Sequence, residues 1–450
     1  MMENIVVVID GGGRGAALVD KYLQSPHVDK VFSIPGNDMM MVDTADRVTT
    51  FPKLKTTDMK DILNLCLEYR VVLVDVAQDN GIEAGLTDRL REAGIKVCGP
   101  TKKAGQIEWD KTWARLFGQR CGLPQPSFEV CQTEEDGIKY LLSRPEDEWH
   151  FLKAAFLAEG KGAVGAKGRR DAMEQLSLLR ERFPKAARRY LVEQWMLNND
   201  GTAGEEFSTF VLCCGEDLQI IGSAQDHKRV FDGDKGGNTG GMGCSSHPLV
   251  LTADIQRKSE EIIRKTLTSL ASEGRPYTGI LYEGGILLQR GNYLNPFVME
   301  FNARWGDPEA QVIVPSLEND LFEMSMAVAE GNIKNLQIIT DGKVRVAVAG
   351  VSRGYPEDYS QVNGKEIIGL DKIMGMDGIK VFGAGVKVVD DKYYAAGGRL
   401  FYVVGEGKDI LEARQKAYEA INQVYIKGGG LHYRTDIGRR DVLRLTRQRD

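Results

Sequence analysis

Short apolar runs alternating with helical stretches over the first hundred residues constrain this chain more than any other feature. "IVVV" at Ile5 to Val8, "VVLVDVA" at Val71 to Ala77 and "IKVCGP" at Ile95 to Pro100 read as buried strands. Between them, "DMKDILNLCLEYR" and "EAGLTDRLREAG" carry helical spacing. That order predicts a parallel sheet with helices on both faces, because parallel neighbours need a crossover helix. The first strand runs into Gly11, Gly12, Gly13 and Arg14 and then a helix reaching Leu23. Such a loop lets backbone N–H groups approach an anion. Gly11, Gly13 and Ala16 also fit the dinucleotide fingerprint. The second strand, 30–34, nevertheless ends in "SIPGND" with no acid at its tip to hold a ribose. A tight turn packing strand on helix accounts for the glycines equally well.

At 450 residues the chain exceeds what one core organises, so three or four packed units are expected. A net charge of -6 without a basic tract argues against nucleic acid as the main partner. No run reaches the length of a membrane span, and the start "MMEN" lacks the character of a signal peptide. Seven scattered cysteines without a CxxC predict reduced thiols and a cytoplasmic setting.

"GQIEWDKTWARLFGQRCGLPQP" is expected to form one helix stopping at Gly122 and Pro124, closing an N-terminal α/β domain over 1–125. A small α/β unit should follow over 126–196, with strands "HFLKAAFL" and "YLVEQWM" around the helix "DAMEQLSLLRERF". Strands such as "EFSTFVLCC", "GILYEGGILLQ" and "PFVMEFNARW" with one long helix predict a larger unit over 197–335. Val- and Gly-rich strands, including "IKVFGAGVKVV", and one helix fill a small α+β domain over 336–450.

Three further clusters carry chemistry. In "FLKAAFLAEGKGAVGAK" the strand lysine Lys153 precedes a loop in which Gly160 and Gly162 could fold over phosphates while Lys161 adds charge. The Lys-Ser/Thr of a P-loop is absent, and a lone strand lysine is more often a solvated edge residue. In "QDHKRVFDGDKGGNTGGMGCSS", Asp226, His227, Lys228, Arg229 and Asn238 sit in a polar, glycine-rich segment that reads as an ordered functional loop. Its histidine belongs to no zinc spacing. In "FVMEFNARWGDPEAQ", strand alternation puts Glu300, Asn302 and Arg304 on one face, with Asp307 and Glu309 in the following turn. Oxygen ligands two residues apart suit a hard cation such as Mg2+ beside nucleotide phosphates.

Together these clusters resemble the ATP-grasp ligases, and within them the phosphoribosylamine-glycine ligases, or glycinamide ribonucleotide synthetases. The likeness spans the chain. Its most specific pieces are "AQDHKRVFDGDKGGNTGGMG", "YTGILYEG", "EFNARWGDPEAQV", "GGRLFYVVGEG" and "YRTDIGRR". The resemblance implies an ATP-grasp fold and a reaction in which ATP phosphorylates glycine's carboxylate and the amine of phosphoribosylamine displaces phosphate. It implies ATP and Mg2+ or Mn2+ as cofactors, small-molecule partners, no nucleic acid or membrane, a place in purine biosynthesis and a monomer or homodimer. Carried across by position, Lys111 and Lys153 meet the ATP phosphates under a lid containing Gly160, Lys161 and Gly162. Glu193 with the backbone of Trp195 and Met196 reads adenine, and Glu206 contacts ribose. Glu300 and Asn302 hold the metal, with Glu283 a third candidate or a solvated edge residue. Arg304, Asp307, Asp226 and Lys228 form the catalytic and substrate lining with Asn238. Gly11, Gly12, Gly13, Arg14 and Asn37 face the ribose phosphate.

Several positions depart from that family's pattern. Its GGGREHAL reads "GGGRGAAL" here, so Gly15 and Ala16 replace Glu-His; its Gly-Pro-Glu becomes the segment around Gln78 and Asp79. Ala155 replaces an acid, Arg353 lies where the tail has Gly-Gly-Tyr-Pro, and Glu283 replaces a small residue. Two other readings therefore stay open: a related ligase with a different amine or carboxylate, and a silent nucleotide-binding relative. If the loop holds phosphate through main chain and Arg14, restoring the pair with Gly15→Glu and Ala16→His is expected to raise turnover.

Overall fold

In the computed structural model, which describes residues 3–158, 162–291 and 293–447, Ile5–Val8 is the central strand of a five-stranded parallel sheet. The order across it is Val48–Thr50, Lys30–Ser33, Ile5–Val8, Leu73–Asp75, Val97–Cys98. Val6 and Val8 pack with Leu18 and Tyr22 on one face, while Ile5 and Val7 join Ile62 and Leu86 on the other. Burial on both faces is why this segment reads as continuous apolar runs rather than alternation.

Two expected helices are each broken in two. Gly85, at φ +94, separates Asp79–Ala84 from Leu86–Glu92. Asp110 separates Lys102–Trp109 from Lys111–Arg120, because its carboxylate turns back to cap the second helix at the Trp113 N–H, 3.0 Å away, and the Thr112 hydroxyl. The stretch "IKVFGAGVKVV" likewise splits into Ile379–Gly383 and Val386–Val389, which belong to different sheets.

Beyond the first domain, a small antiparallel sheet orders Phe128–Cys131, Tyr190–Gln194, Trp149–Ala154 and Ala163–Lys167. A larger sheet runs Tyr293–Asn302, Tyr277–Arg290, Glu205–Gly215, Asp217–Asp226, Gly243–Ser246, Val344–Ser352, Arg399–Gly407, Ile379–Gly383, with Leu431–His432 on Val344–Ser352. The pairing of Gly243–Ser246 with Val344–Ser352 carries the sheet across residue 335 into the C-terminal region. The glycine-rich segment is ordered: Arg229–Phe231 and Lys235–Asn238 form a hairpin ahead of Gly243–Ser246. No described helix is long and apolar enough to cross a membrane.

Glu283 lies inside this fold and away from the other metal candidates. In the antiparallel register it stands opposite Phe301, whereas Glu300 and Asn302 stand opposite Gly284 and Tyr282. Side chains alternate faces, so Glu283 points to the side covered by the helix Ala253–Ser272, where it accepts a hydrogen bond from Ser259 Oγ. The expectation that it joins Glu300 and Asn302, or sits at a solvated edge, is corrected on both counts: the residue is fully buried. Burial pushes its carboxyl up to about 8. An acid whose folded pKa exceeds its unfolded value binds extra protons when folded, so stability falls as pH rises from about 4.5 through 8. Glu283→Gln removes that linkage. Its melting temperature should gain on the natural protein between pH 5 and pH 8 and keep a constant lead above, and scans across that range read it directly.

Candidate active site

The small sheet and the large sheet face each other across a cavity of 480 Å³. Lys153 and Glu193 come from paired strands of the small sheet: Glu193 stands opposite Phe151, and Lys153 follows two residues on, on the same face. Glu193 Oε2 lies 2.7 Å from Lys153 Nζ, and its Oε1 lies 2.6 Å from Arg115 Nε. Burial would raise this carboxyl, yet the two cations overcome it and hold the group at about 2. Both oxygens of Glu193 are thus engaged by cations, so the side chain expected at adenine faces Lys153 and Arg115. Beside it Trp195 and Met196 do line the cavity, with Phe151, Ile286 and Met299 completing an apolar wall. The Phe151 and Trp195 rings lie 4.4 Å apart. Gly165 is required beneath Trp195, since a Cβ there would fall 2.5 Å from the indole.

The opposite wall concentrates charge. Lys111 lines the cavity one helical turn before Arg115. Glu300 is raised by burial but drawn down to about 2 by Lys228, Lys111, Lys153 and Arg304. Asn302 Oδ1 accepts from Arg304 Nη2 at 3.2 Å, and Arg304 Nη2 pairs with Glu108 at 2.9 Å. Lys228 Nζ lies 2.7 Å from Glu206, so the acid expected at ribose is a counter-ion. Asp226 is pushed up to about 7 by burial; Lys228 and Arg440 oppose the rise, while Glu309 and Glu206 add to it. Asn238 Nδ2 reaches the Ala163 carbonyl at 3.4 Å, tying the glycine-rich segment to the strand Ala163–Lys167. Gly162 and Asp79 also line the cavity, whereas Gly160 and Lys161 lie outside the described residues. His227 is structural: its Nε2 accepts from the Gly438 N–H at 3.3 Å.

A second group of expected residues gathers at the first glycine loop. Asn37 Nδ2 donates to the carbonyls of Gly11, 3.1 Å away, and Gly383, 3.0 Å away. Asp307 pairs with Arg399 Nη2 at 3.0 Å and accepts from Gln311 at 2.6 Å. A Cβ on Gly12 would stand 3.4 Å from the Asp307 carboxylate, and one on Gly13 would strike the Tyr402 ring at 2.3 Å. Arg14 does not offer its guanidinium to a phosphate. It is buried, and donates to Asp10, to Gln78 Oε1 at 2.7 Å and to the Trp305 carbonyl at 2.8 Å.

Among the described residues, buried polar atoms without a protein partner include Asn37 Oδ1 and Gln311 Oε1 beside the glycine loop and Asn302 Nδ2 and Arg440 Nη1 at the cavity. Buried polar groups are ordinarily bonded, so these four atoms are free to bond ligand or solvent. Arg115, Glu108, Arg399 and Arg440 were not singled out from sequence. Arg115 had a signal, its one-turn spacing from Lys111. Arg399 and Arg440 sit in "GGRLFYVVGEG" and "YRTDIGRR", far along the chain from the residues they meet.

Three family models match in order: the phosphoribosylglycinamide synthetase N domain over 4–108, its ATP-grasp (A) domain over 109–310 and its C domain over 345–440. A phosphoribosylamine–glycine ligase of Chlorobaculum tepidum is 35% identical over 96% of this chain and 99% of its own length. One from Caulobacter vibrioides is 36% identical over 97% and 98%. Among solved structures, a phosphoribosylamine–glycine ligase from Thermotoga maritima superposes with TM-score 0.77 at 27% identity, covering 96% of this chain and 100% of that one. A biotin carboxylase domain from Hydrogenobacter thermophilus, solved with MgADP, shares the fold at TM-score 0.71 and 16% identity, covering 96% and 92%. The architecture is the ATP-grasp fold, and the class it defines with these relatives is that of ATP-dependent carbon–nitrogen ligases. Within that class, the chain belongs to the phosphoribosylglycinamide synthetase family, whose members carry the name phosphoribosylamine–glycine ligase.

The shared carboxylate of Glu193 generates a stability prediction. Glu193→Ala leaves Lys153 and Arg115 buried, adjacent and uncompensated, and breaking a buried pair in this way costs about 3–5 kcal/mol. Urea unfolding of the variant should show a loss of that order; a loss under about 1 kcal/mol, typical of an exposed pair, would contradict the triad.

Proposed function

We propose that the protein joins glycine to 5-phosphoribosylamine using ATP, giving glycinamide ribonucleotide, ADP and phosphate in purine biosynthesis. The observation that carries this reading is one cavity in which Lys111, Lys153, Lys228 and Arg304 surround the ionised Glu300, next to an apolar wall of Phe151, Trp195 and Met196. The wall accepts a flat base, with the main chain at Trp195 and Met196 available to its edge. The cations offset the repulsion that arises as glycine's carboxylate approaches the terminal phosphate. Glu300, kept ionised, and the Asn302 amide are an oxygen donor set that fits Mg2+ or Mn2+, and such an ion supplies further charge neutralisation at the phosphates. Asn238, bridging to Ala163, helps close the site against water, which would otherwise hydrolyse the acyl phosphate. The amine substrate occupies the side of Gly11 to Gly13, Asn37 and Asp307. As its nitrogen attacks the acyl carbon and phosphate leaves, Asp226 takes the amine proton.

ADP release measured against a panel of amino acids, with and without freshly made phosphoribosylamine, tests the assignment. Release that requires both glycine and phosphoribosylamine supports it. Release with a different acid or amine replaces it with a related ligase, and nucleotide binding without any release replaces it with a silent relative. The proton role gives a pH signature. Asp226 must be ionised to accept a proton, so kcat/KM should climb with pH through about 7. Asp226→Asn should flatten that limb and lower kcat by about 100-fold or more, leaving the KM for ATP near its natural value.

A further inference from the structure

The loop after the first strand carries Gly15, and the space beside Gly15 is filled. A Cβ built there falls 2.8 Å from Asp10 Oδ1, 2.9 Å from Asp10 Cβ and 3.2 Å from its carboxyl carbon. Asp10 lies two residues beyond the end of the central strand and is 1% exposed. Its Oδ2 accepts from Arg14 Nε at 2.9 Å and Arg14 Nη2 at 2.6 Å. Its Oδ1 accepts from the backbone N–H groups of Gly12 at 2.6 Å and Gly15 at 3.1 Å, so one side chain both caps the glycine turn and holds the arginine.

We infer that Asp10, from the strand end, is the positioning residue for Arg14 and for the glycine turn. Through Arg14 it acts further. Arg14 Nη1 donates to the carbonyl of Trp305, and Trp305 lies between Arg304, which lines the nucleotide cavity, and Asp307, which faces the glycine loop. The guanidinium therefore fixes the turn that connects the two halves of the site, and its orientation depends on a single acid. Gln78 Oε1 accepts another of its hydrogens at 2.7 Å, so the same arginine also ties the loop to the segment after the fourth strand. A second carboxylate at position 15 would collide with Asp10 and compete for one guanidinium.

This inference rests on the loop belonging to the amine side of the site, and a four-member series separates the two. Asp10→Gly, Gly15→Glu, the double variant Asp10→Gly/Gly15→Glu and the conservative Asp10→Asn are compared by thermal unfolding and by separate KM values for ATP, glycine and phosphoribosylamine. Asp10→Gly should raise the KM for phosphoribosylamine about tenfold or more, as loss of a charge-assisted bond implies, while the KM for ATP stays near its natural value. Asp10→Asn, which keeps one acceptor oxygen, should fall between Asp10→Gly and the natural protein. Gly15→Glu alone should be less stable and less active than the natural protein, and the double variant should recover to within about threefold. Gly15→Glu behaving as the natural protein, a double variant no better than the worse single one, or KM values that all move together would overturn the positioning role. If the natural protein does not use glycine and phosphoribosylamine at all, the proposed reaction fails instead. The melting temperatures then decide the Asp10–Gly15 exchange by whether the two changes are additive.

Discussion

Buried positive charge is the constraint on which this molecule is built. A cavity that brings a carboxylate to a triphosphate must hold cations in advance, and those cations repel one another whenever the anions are absent. The structure answers with a carboxylate for nearly every one: Glu193 for Lys153 and Arg115, Glu206 for Lys228, Glu108 for Arg304 and Asp234 for Arg440. These acids come from all parts of the fold. The small sheet supplies Glu193, the first domain's last helix pair Glu108, the large sheet Glu206 and the hairpin segment Asp234. Three of these pairs, Arg115–Glu193, Arg304–Glu108 and Arg440–Asp234, join segments far apart in the chain, so bringing those segments together also completes part of the charge pairing of the site, whereas Lys153–Glu193 and Lys228–Glu206 are each made within one sheet or at the end of its strands.

That coupling explains which parts of the site were legible in the sequence. Residue types suited to phosphate or metal stand out locally: a lysine in a strand before a glycine loop, or Glu and Asn two apart on a strand. Lys111, Lys153, Glu300, Asn302, Lys228 and Arg304 do share one cavity. Acids that hold cations carry no such local signature. Glu193 and Glu206 have the residue type of ligand contacts and lie where such contacts were expected, yet both face a basic side chain at 2.7 Å. Glu283 failed for a different reason. Its strand was recognised, but the register that puts Glu300 opposite Gly284 was needed to show that the neighbouring Glu faces the helix.

The fold was legible to a similar depth. Periodicity identified the parallel sheet, since strands buried on both faces leave an uninterrupted apolar trace, and it located the long helix Ala253–Ser272. Breaks within helices were missed wherever a single residue redirected the chain: Gly85 through a positive φ, Asp110 through a cap that competes with helix continuation. Pairing between distant strands was also out of reach. The join of Gly243–Ser246 to Val344–Ser352 makes the C-terminal region part of the large sheet, and no spacing within either segment encodes it.

The first sheet shows how the same architecture can be turned to a different use. Its strand order reverses between Ile5–Val8 and Leu73–Asp75, and in open parallel sheets ligands commonly bind in the crevice at the carboxyl ends of such a pair. Here protein groups fill the interior of that crevice. Asp75 accepts from Tyr22 OH at 2.8 Å, Tyr22 also bonds Ser325, and Asp10 with Gln78 holds Arg14. What remains for a ligand is the outer edge of the glycine loop, where Asn37, Asp307, Arg399 and Tyr402 approach from the rest of the molecule. A dinucleotide needs the crevice itself, whereas a small phosphorylated amine needs only the loop edge and a neighbour that delivers the acyl group. A filled crevice leaves no seat for a dinucleotide there, and under the proposed reaction the amine meets the acyl group at the seam between the glycine loop and the charged cavity.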